Sequence, residues 1–162
     1  MNQTTAAAMS GGVDSTAAAL LLLEGGHRVE GVTLRLAPCG QDGTEDARAA
    51  ARALNIPHHL FDLTGLFQEK VVSPFVQAYE TGRTPNPCVL CNREIKFGAL
   101  LELAREWGWD KVATGHYARL DLDAGSGRWL LKEAARPDKD QSYELAMLTQ
   151  EQLARALFPL GE

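Results

Sequence analysis

Short apolar segments alternate along the chain with longer stretches whose apolar residues recur every three or four positions. That is the pattern of βαβ units feeding a parallel sheet. Thr4–Met9 predicts a first strand, although its three alanines give it little strand propensity. From Asp14 onward, Ala17, Ala18, Leu20, Leu21 and Leu22 predict a helix that stops at Gly25-Gly26. Arg28–Leu36 reads as a second strand, and Thr44 stands where it would cap a helix over Asp46–Leu54, with Ala47, Ala50, Ala51 and Leu54 on one face. After the Asn55-Ile56-Pro57 break, His58–Asp62 is a short third strand. Leu66–Glu80 carries Phe67, Val71, Phe75 and Ala78 as a helical stripe. Thr81–Asn92, with two prolines, two asparagines and a glycine, reads as a loop. An amphipathic helix over Ile95–Trp107 leads into a fourth parallel strand, Lys111–Thr114. Beyond Gly115 the pattern changes: Tyr117–Leu122 and Arg128–Glu133 flank a turn-rich Asp123–Gly127 and predict a β-hairpin. The tail Ser142–Leu157 reads as helical, with Thr149 capping its second half three residues before Gln152. The expected fold is α/β, a doubly wound parallel sheet over 1–116 followed by a hairpin and helical extension over 117–162.

The length of 162 residues matches one domain, and 45% hydrophobic with 23% charged residues is the balance of a globular chain. The longest apolar run, Ala17–Leu23, ends at Glu24, well short of the roughly 20 residues a membrane span needs. No secretory leader pattern opens the chain, so the expectation is a cytoplasmic protein without a membrane partner. Sixteen basic against 21 acidic residues give a net charge of −5, which excludes a global attraction for nucleic acid. A polyanion would have to be met by a local patch. Three cysteines, Cys39, Cys88 and Cys91, are odd in number and unevenly spaced, which fits reduced thiols, a metal site or redox chemistry better than a disulfide framework.

Ser10-Gly11-Gly12-Val13-Asp14-Ser15 falls between the first strand and the first helix, where a doubly wound sheet binds its ligand. Two glycines allow a tight turn that aims backbone N–H groups at one anion, the serines add hydroxyl donors, and the helix start adds partial positive charge. Asp14 in the first turn suits the helix dipole or a magnesium ion beside a phosphate. The string lacks Gly-Lys-Ser/Thr and differs from the dinucleotide fingerprint. It resembles the PP-loop, SGGxDS, of the ATP pyrophosphatases, which cleave ATP between the α- and β-phosphates and activate a carbonyl oxygen as an adenylate.

Further strings narrow the resemblance: Thr84-Pro85-Asn86-Pro87-Cys88-Val89-Leu90-Cys91-Asn92, Ile95-Lys96-Phe97, Ala113-Thr114-Gly115-His116-Tyr117-Ala118-Arg119, Lys139-Asp140-Gln141-Ser142-Tyr143 and Phe158-Pro159-Leu160-Gly161-Glu162. In this order, with the PP-loop, they resemble the tRNA-specific 2-thiouridylases, the MnmA family, along essentially the whole chain. The resemblance implies an adenine nucleotide α-hydrolase-like fold. It also implies an enzyme that adenylates the C2 oxygen of a wobble uridine in tRNA, after which a cysteine-borne sulfur displaces AMP to give 2-thiouridine. It assigns ATP contacts to Ala8, Met9, Ser10, Gly11, Gly12, Val13, Asp14 and Ser15, to Leu34 where the family usually has methionine, and to Gly115, whose missing side chain would let ribose or adenine pack on backbone. Asn86, Pro87 and Cys88 correspond to the loop that meets the target base, Cys91 to the nucleophile, and Lys139, Asp140 and Gln141 to a tRNA contact. Mg²⁺ would assist pyrophosphate departure. Arg83, Arg93 and Lys96 around the cysteines, with Lys132, Arg136 and Lys139, are candidates for a phosphate-binding surface or a set of solvated charges.

Full-length members of that family continue for another domain and a half, with a second cysteine that bears a persulfide and a β-barrel that helps hold tRNA. The chain therefore reads either as a catalytic domain or as a short relative that takes sulfur from elsewhere, through a persulfide carrier, sulfide or a partner chain. Two readings of the cysteines stand side by side. Cys39, Cys88 and Cys91 would hold a [4Fe–4S] cluster with one iron left open for sulfide, as in related PP-loop sulfur-transfer enzymes. In the other reading Cys91 acts alone as nucleophile or disulfide partner. Zinc is disfavoured, since His58, His59 and His116 lack ligand spacing. Glu144 stands where the family is apolar, and suggests an exposed surface. The rival functions are a PP-loop enzyme acting on a small molecule and a non-catalytic nucleotide- or iron–sulfur-binding module that needs a partner chain.

Overall fold

A computed structural model describes residues 3–37 and 43–162. Strands β1 (Thr4–Ala8), β2 (Arg28–Arg35), β3 (His58–Asp62), β4 (Lys111–Ala113) and β7 (Ala156–Leu157) form one sheet in the order β3-β2-β1-β4-β7, with every neighbouring pair parallel. Strands β5 (Ala118–Asp123) and β6 (Arg128–Glu133) form the separate antiparallel hairpin. The doubly wound expectation therefore holds.

The alanine-rich β1 is explained by its place at the centre of the sheet. Ala6 points into a cluster with Val32, Phe97, Leu100 and Val112, while Ala7 points the other way into one with Ala19, Leu22, Val29 and Ala113. Both faces are covered, so neither position is free to be polar, and small side chains bring helices close on each side. Helix α1 (Val13–Glu24) and helix α2 (Thr44–Ala53) serve the Ala7 face, α2 through Ala47 and Ala51 packed with Met9.

The connection from β3 to β4 is helical almost throughout. Helices α3 (Thr64–Phe67) and α4 (Ser73–Glu80) are joined by a π-helical segment, Gln68–Val72. Pro74 lies at the start of α4, where its missing N–H is harmless, and Ser73 donates through its hydroxyl to the Gln68 carbonyl at 2.9 Å. A second run joins helix α5 (Pro87–Cys91), a π-helical segment (Asn92–Ala99) and helix α6 (Leu100–Trp107). The cysteine pair expected in a loop is thus helical. Asn86 caps the run, its Oδ1 accepting from the Cys88 N–H at 2.9 Å, and Pro87 follows at the first helical position.

Two other expectations are corrected. Thr44 is the first residue of α2 rather than its side-chain cap, and Gly43, in the left-handed region at φ 70°, holds the capping position. The tail is not one helix: 3-10 turns occupy Pro137–Lys139 and Ser142–Leu145, helix α7 covers only Gln150–Arg155, and Ala156–Leu157 leaves it to pair with β4. The Thr149–Gln152 capping box is present as expected. Gln152 also donates from Nε2 to the carbonyls of Arg93 and Phe97 at 2.9 and 2.8 Å, tying the tail to the π-helical segment beside the cysteines. Among the described residues, no helix is long and apolar enough to cross a membrane.

Candidate functional site

The order of the sheet reverses between β1 and β4, and at that point the two strands diverge at their C-terminal ends. An open cleft of about 520 Å³ lies there. Its floor is Ala8, Met9 and Ser10 after β1, Val32, Thr33 and Leu34 on β2, and Thr114, Gly115 and His116 after β4. Met9 is locked into the sheet by its N–H to the Val32 carbonyl at 2.8 Å, and Thr33 Oγ1 donates to the Met9 carbonyl at 2.9 Å. These bonds fix where the chain leaves the sheet and turns.

The turn itself is held by serines. Ser15 Oγ donates to the Gly12 carbonyl at 2.9 Å and accepts from the Ser10 N–H at 3.2 Å, with Ser10 Oγ 3.3 Å away. Gly11 adopts φ 82°, and a Cβ there would stand 2.6 Å from the Gly43 carbonyl oxygen. The backbone is thereby shaped as a cradle at the start of α1, with partial positive charge facing the cleft. Asp14 stands exposed at its lip, where the Tyr117 hydroxyl donates to Oδ1 at 2.9 Å, and that bond pushes the tyrosine pKa up. Of the residues expected to touch nucleotide, Ala8, Met9, Ser10, Asp14, Ser15, Leu34 and Gly115 line the cleft, whereas Gly11, Gly12 and Val13 belong to the turn but not to the cleft lining. Gly115 has a packing reason of its own beside the expected one. A Cβ there would lie 2.9 Å from the Asp14 carbonyl carbon and from the Ser15 nitrogen, so the position is empty because α1 passes against it.

Nine lining residues lie outside the expected nucleotide contacts, among them Val32, Thr33, Leu36, Ala37 and Thr114. The remaining four are Lys96, from the π-helical segment, His116, Gln141 and Glu144. Gln141 is clamped at both ends of its residue: Oε1 accepts from the Tyr117 N–H at 3.1 Å, and its own N–H donates to the Tyr117 carbonyl at 2.8 Å. Glu144 is not the exposed surface that its polar character suggested. Its side chain is mostly covered, lines the cleft and lies 3.8 Å from His116 Nε2. His116 is buried, shares a 2.8 Å hydrogen bond with Thr114 Oγ1, and has its pKa lowered from 6.5 to about 3 by burial and by the Lys96 charge. The imidazole is therefore neutral near pH 7, and its approach to Glu144 is not an ion pair.

Cys88 is exposed and Cys91 half-buried on α5, three positions apart. Burial pushes the Cys91 thiol up, Lys96 opposes that shift, and Cys88 and Glu144 add to it. Lys96 and Glu144 thus face both the cleft and the cysteine. The 3-10 turn Ser142–Leu145 is bolted to the same helix, since Asn92 Nδ2 donates to the Glu144 carbonyl at 3.1 Å. The fully buried Asn92 Oδ1 has no hydrogen-bond partner among the described residues.

Asp140 is occupied internally: Oδ1 accepts from the N–H groups of Ala134 at 2.8 Å and Ser142 at 3.3 Å, and Oδ2 from the Ser142 hydroxyl at 2.8 Å. These bonds hold its pKa below the usual carboxylate range against its partial burial. Asn86 and Lys139 are exposed and Pro87 half-buried. Cys39 lies outside the described residues. Among those described, no three His, Cys, Asp or Glu side chains converge on a metal position.

Over residues 3–162 the chain matches the protein family described as tRNA methyl transferase HUP domain. It is 52% identical over 159 residues to the tRNA-specific 2-thiouridylase MnmA of Desulforudis audaxviator, covering 98% of this chain and 46% of that protein. The MnmA of Moorella thermoacetica is 49% identical over 167 residues, with 96% of this chain and 47% of that protein covered. The chain spans about half the length of these relatives. Among solved structures, a predicted subunit of tRNA methyltransferase from Methanocaldococcus jannaschii superposes with a TM-score of 0.58 at 17% identity, covering 98% of this chain and 68% of the other, a likeness of fold.

Proposed function

The chain belongs to the tRNA methyl transferase HUP-domain family, and from that premise we propose that it is the ATP-activating domain of a tRNA sulfurtransferase. ATP occupies the cleft with its phosphates on the Ser10–Ser15 turn, between Ala8 and Gly115 and beneath Leu34. The C2 oxygen of a tRNA uridine attacks the α-phosphorus, pyrophosphate leaves, and the resulting adenylate makes C2 open to sulfur. Sulfur then displaces AMP and leaves 2-thiouridine. The observation that carries this reading is a cleft lined by a phosphate-shaped turn and by Lys96 and Glu144, whose charges also reach the Cys91 thiol. Although the family description speaks of methyl transfer, two thiols beside a nucleotide cleft fit sulfur chemistry, and the relatives' names agree with it.

Each group has a task in this scheme. The backbone N–H groups of the turn and the Lys96 cation meet charge that develops on the phosphates. His116, neutral and held by Thr114, keeps the strand end in place and offers a hydrogen bond, not a proton source. Cys91 is the sulfur-handling thiol, and Asn86, Pro87 and Cys88 border the entering base. Lys139 and Gln141 face the tRNA, while Asp140 acts by holding their loop. A divalent ion such as Mg²⁺, when bound, neutralises the departing pyrophosphate. Asp14 fits it as a ligand, because its carboxylate is exposed at the cleft and only one of its oxygens accepts the Tyr117 bond. A cluster would need a third thiol beside Cys88 and Cys91, and no step is routed through one. The sulfur donor is a persulfide or sulfide, further tRNA contacts come from the counterpart of the relatives' unmatched half, in this chain's continuation or on a partner, and the cytoplasm is the site of action.

The test is the purified chain with ATP, Mg²⁺ and unmodified tRNA. AMP and pyrophosphate should form only when tRNA is present, and Asp14→Ala should lower the rate by about 100-fold or more, the scale of losing one preorganised charge contact. Wild-type protein that binds ATP yet forms no tRNA-dependent AMP would overturn the proposal.

A further inference from the structure

We infer that Glu144 reads the target base, its carboxylate accepting the N3–H that uracil carries and cytosine lacks. This deepens the sulfurtransferase reading above and rests on it. In that reaction C2 of the base must stand between the α-phosphate and the Cys91 thiol, and N3 is bonded directly to C2. A group that reads N3 therefore has to face the nucleotide cleft and the thiol together. Glu144 does both: it lines the cleft, and its charge reaches Cys91. Its backbone is held at both ends, the N–H donating to the Gln141 carbonyl at 3.0 Å and the carbonyl accepting from Asn92 Nδ2 at 3.1 Å. The carboxylate is thus carried on a turn tied to the helical run of the cysteines.

Other side-chain acceptors in the neighbourhood are engaged. Asn86 already uses Oδ1 on the Cys88 N–H at 2.9 Å, and Gln141 Oε1 accepts from the Tyr117 N–H. Ser10 and Ser15 bond within the phosphate turn, and Asp14, which accepts from the Tyr117 hydroxyl, stands at that turn as well. Glu144 is different. Its Oε1 accepts one long hydrogen bond, 3.4 Å from the Tyr143 hydroxyl, and its Oε2 lies 3.8 Å from His116 Nε2 with no hydrogen bond among the described residues. A carboxylate on a side chain only 18% exposed, with one oxygen unsatisfied, is incomplete until a donor arrives. A base drawn out of its loop presents its Watson–Crick edge, and at N3 uracil offers an N–H where cytosine offers a lone pair. The carboxylate attracts the first and repels the second.

The test reads binding and needs no turnover, so it is separate from tRNA-dependent AMP release, whose absence overturns the sulfurtransferase reading itself. The whole chain is held with α,β-methylene-ATP at low salt, where its few phosphate contacts retain RNA. Fluorescence anisotropy then follows three anticodon stem-loop RNAs that differ only in the target base: uridine, cytidine or 3-methyluridine. Wild type should bind the uridine RNA about tenfold or more tightly than either of the others, the scale of leaving one covered polar group unpaired. In Glu144→Gln the side-chain amide can turn to donate or to accept, so the cytidine RNA should gain affinity and come within about threefold of the uridine RNA, while 3-methyluridine stays weak. A gain of this kind cannot come from a variant that has failed to fold. Wild type without a uridine preference overturns the inference, and so does a Glu144→Gln variant in which the cytidine RNA gains nothing.

Discussion

His116 lies among Thr114, Lys96, Glu144 and the ring of Phe158, and it is only 7% exposed. Charging it there would place a cation near Lys96 in a site short of water, which outweighs the carboxylate 3.8 Å away and takes its pKa from 6.5 to about 3. Between those two values the unfolded chain binds a proton that the folded chain refuses. The resulting stability is fully present above pH 6.5 and is lost as pH falls from there toward 3. At pH 5 the loss is about 2 kcal/mol, from about 1.4 kcal/mol per pH unit over about 1.5 units. In urea titrations at pH 8 and pH 5, wild type should therefore lose about 2 kcal/mol more than His116→Gln. His58, whose pKa is also lowered by burial, affects both proteins alike and cancels from the comparison. Equal losses in the two proteins would show that His116 is not the group refused its proton. The sequence places this histidine directly after Gly115, within the Ala113–Arg119 string. Its burial was not legible there, because the covering groups come from distant segments, Lys96 and the Ser142–Leu145 turn.

At the scale of elements, some local signals delimit their element and others mislead, while an element that exists only by pairing leaves no local signal. His58–Asp62 was delimited because a proline break and a run of bulky residues bound it. The Thr149–Gln152 box was visible because its bonds join residues three apart. By contrast, Ala156–Leu157 is two residues long, too short to show any period, and exists as a strand only through β4. The helical start at Pro87 was hidden by its own composition: Asn-Pro reads as a turn signal, yet here it is a cap followed by a first-position proline. Gly115 belongs to this same class. Its spacing from the turn was legible, but the reason for glycine is the passage of α1 against the end of β4. Gly115→Ala should force those backbones apart, since the contact at 2.9 Å is with main chain and not with a side chain that can swing away. Overpacking of this kind costs about 1–3 kcal/mol, which for a chain of this size lowers Tm by roughly 2–12 °C. ATP binding should weaken with it, because the displaced residues, Asp14 and Ser15, are cleft residues. Thermal melts with and without ATP check both effects, and an alanine variant that matches wild type in Tm and in ATP-induced shift would refute the packing account.

For the molecule as a whole, the question raised by the proposed function is how a chain of net charge −5 would meet tRNA. Six cations were candidates, and the structure sorts them. Arg93 pairs with Glu94, Lys132 with Asp121 and Arg136 with Asp138, while Arg83 is bonded to Thr81. Such surface pairs hold little energy, but each lowers the positive potential that a phosphate would feel. Lys96 and Lys139 join no ion pair among the described residues, and Lys96 faces the nucleotide cleft. Few phosphates are therefore neutralised by this chain alone. Binding of tRNA releases about 0.7–0.9 counterion per neutralised phosphate, so two to three contacts correspond to a slope of log K against log salt of roughly −1.4 to −2.7. The chain should thus bind tRNA weakly, with a shallow salt dependence, when fluorescence anisotropy is followed from low to physiological salt. Lys139→Ala should flatten the slope by about one contact, whereas the Lys132→Ala change, which removes a cation already neutralised by Asp121, should leave it nearly unaltered. A slope several units steeper, or one that Lys132→Ala flattens as much as Lys139→Ala, would mean that the ion pairs open to receive phosphates and that the acidic chain carries a far larger tRNA surface than its static pairing displays.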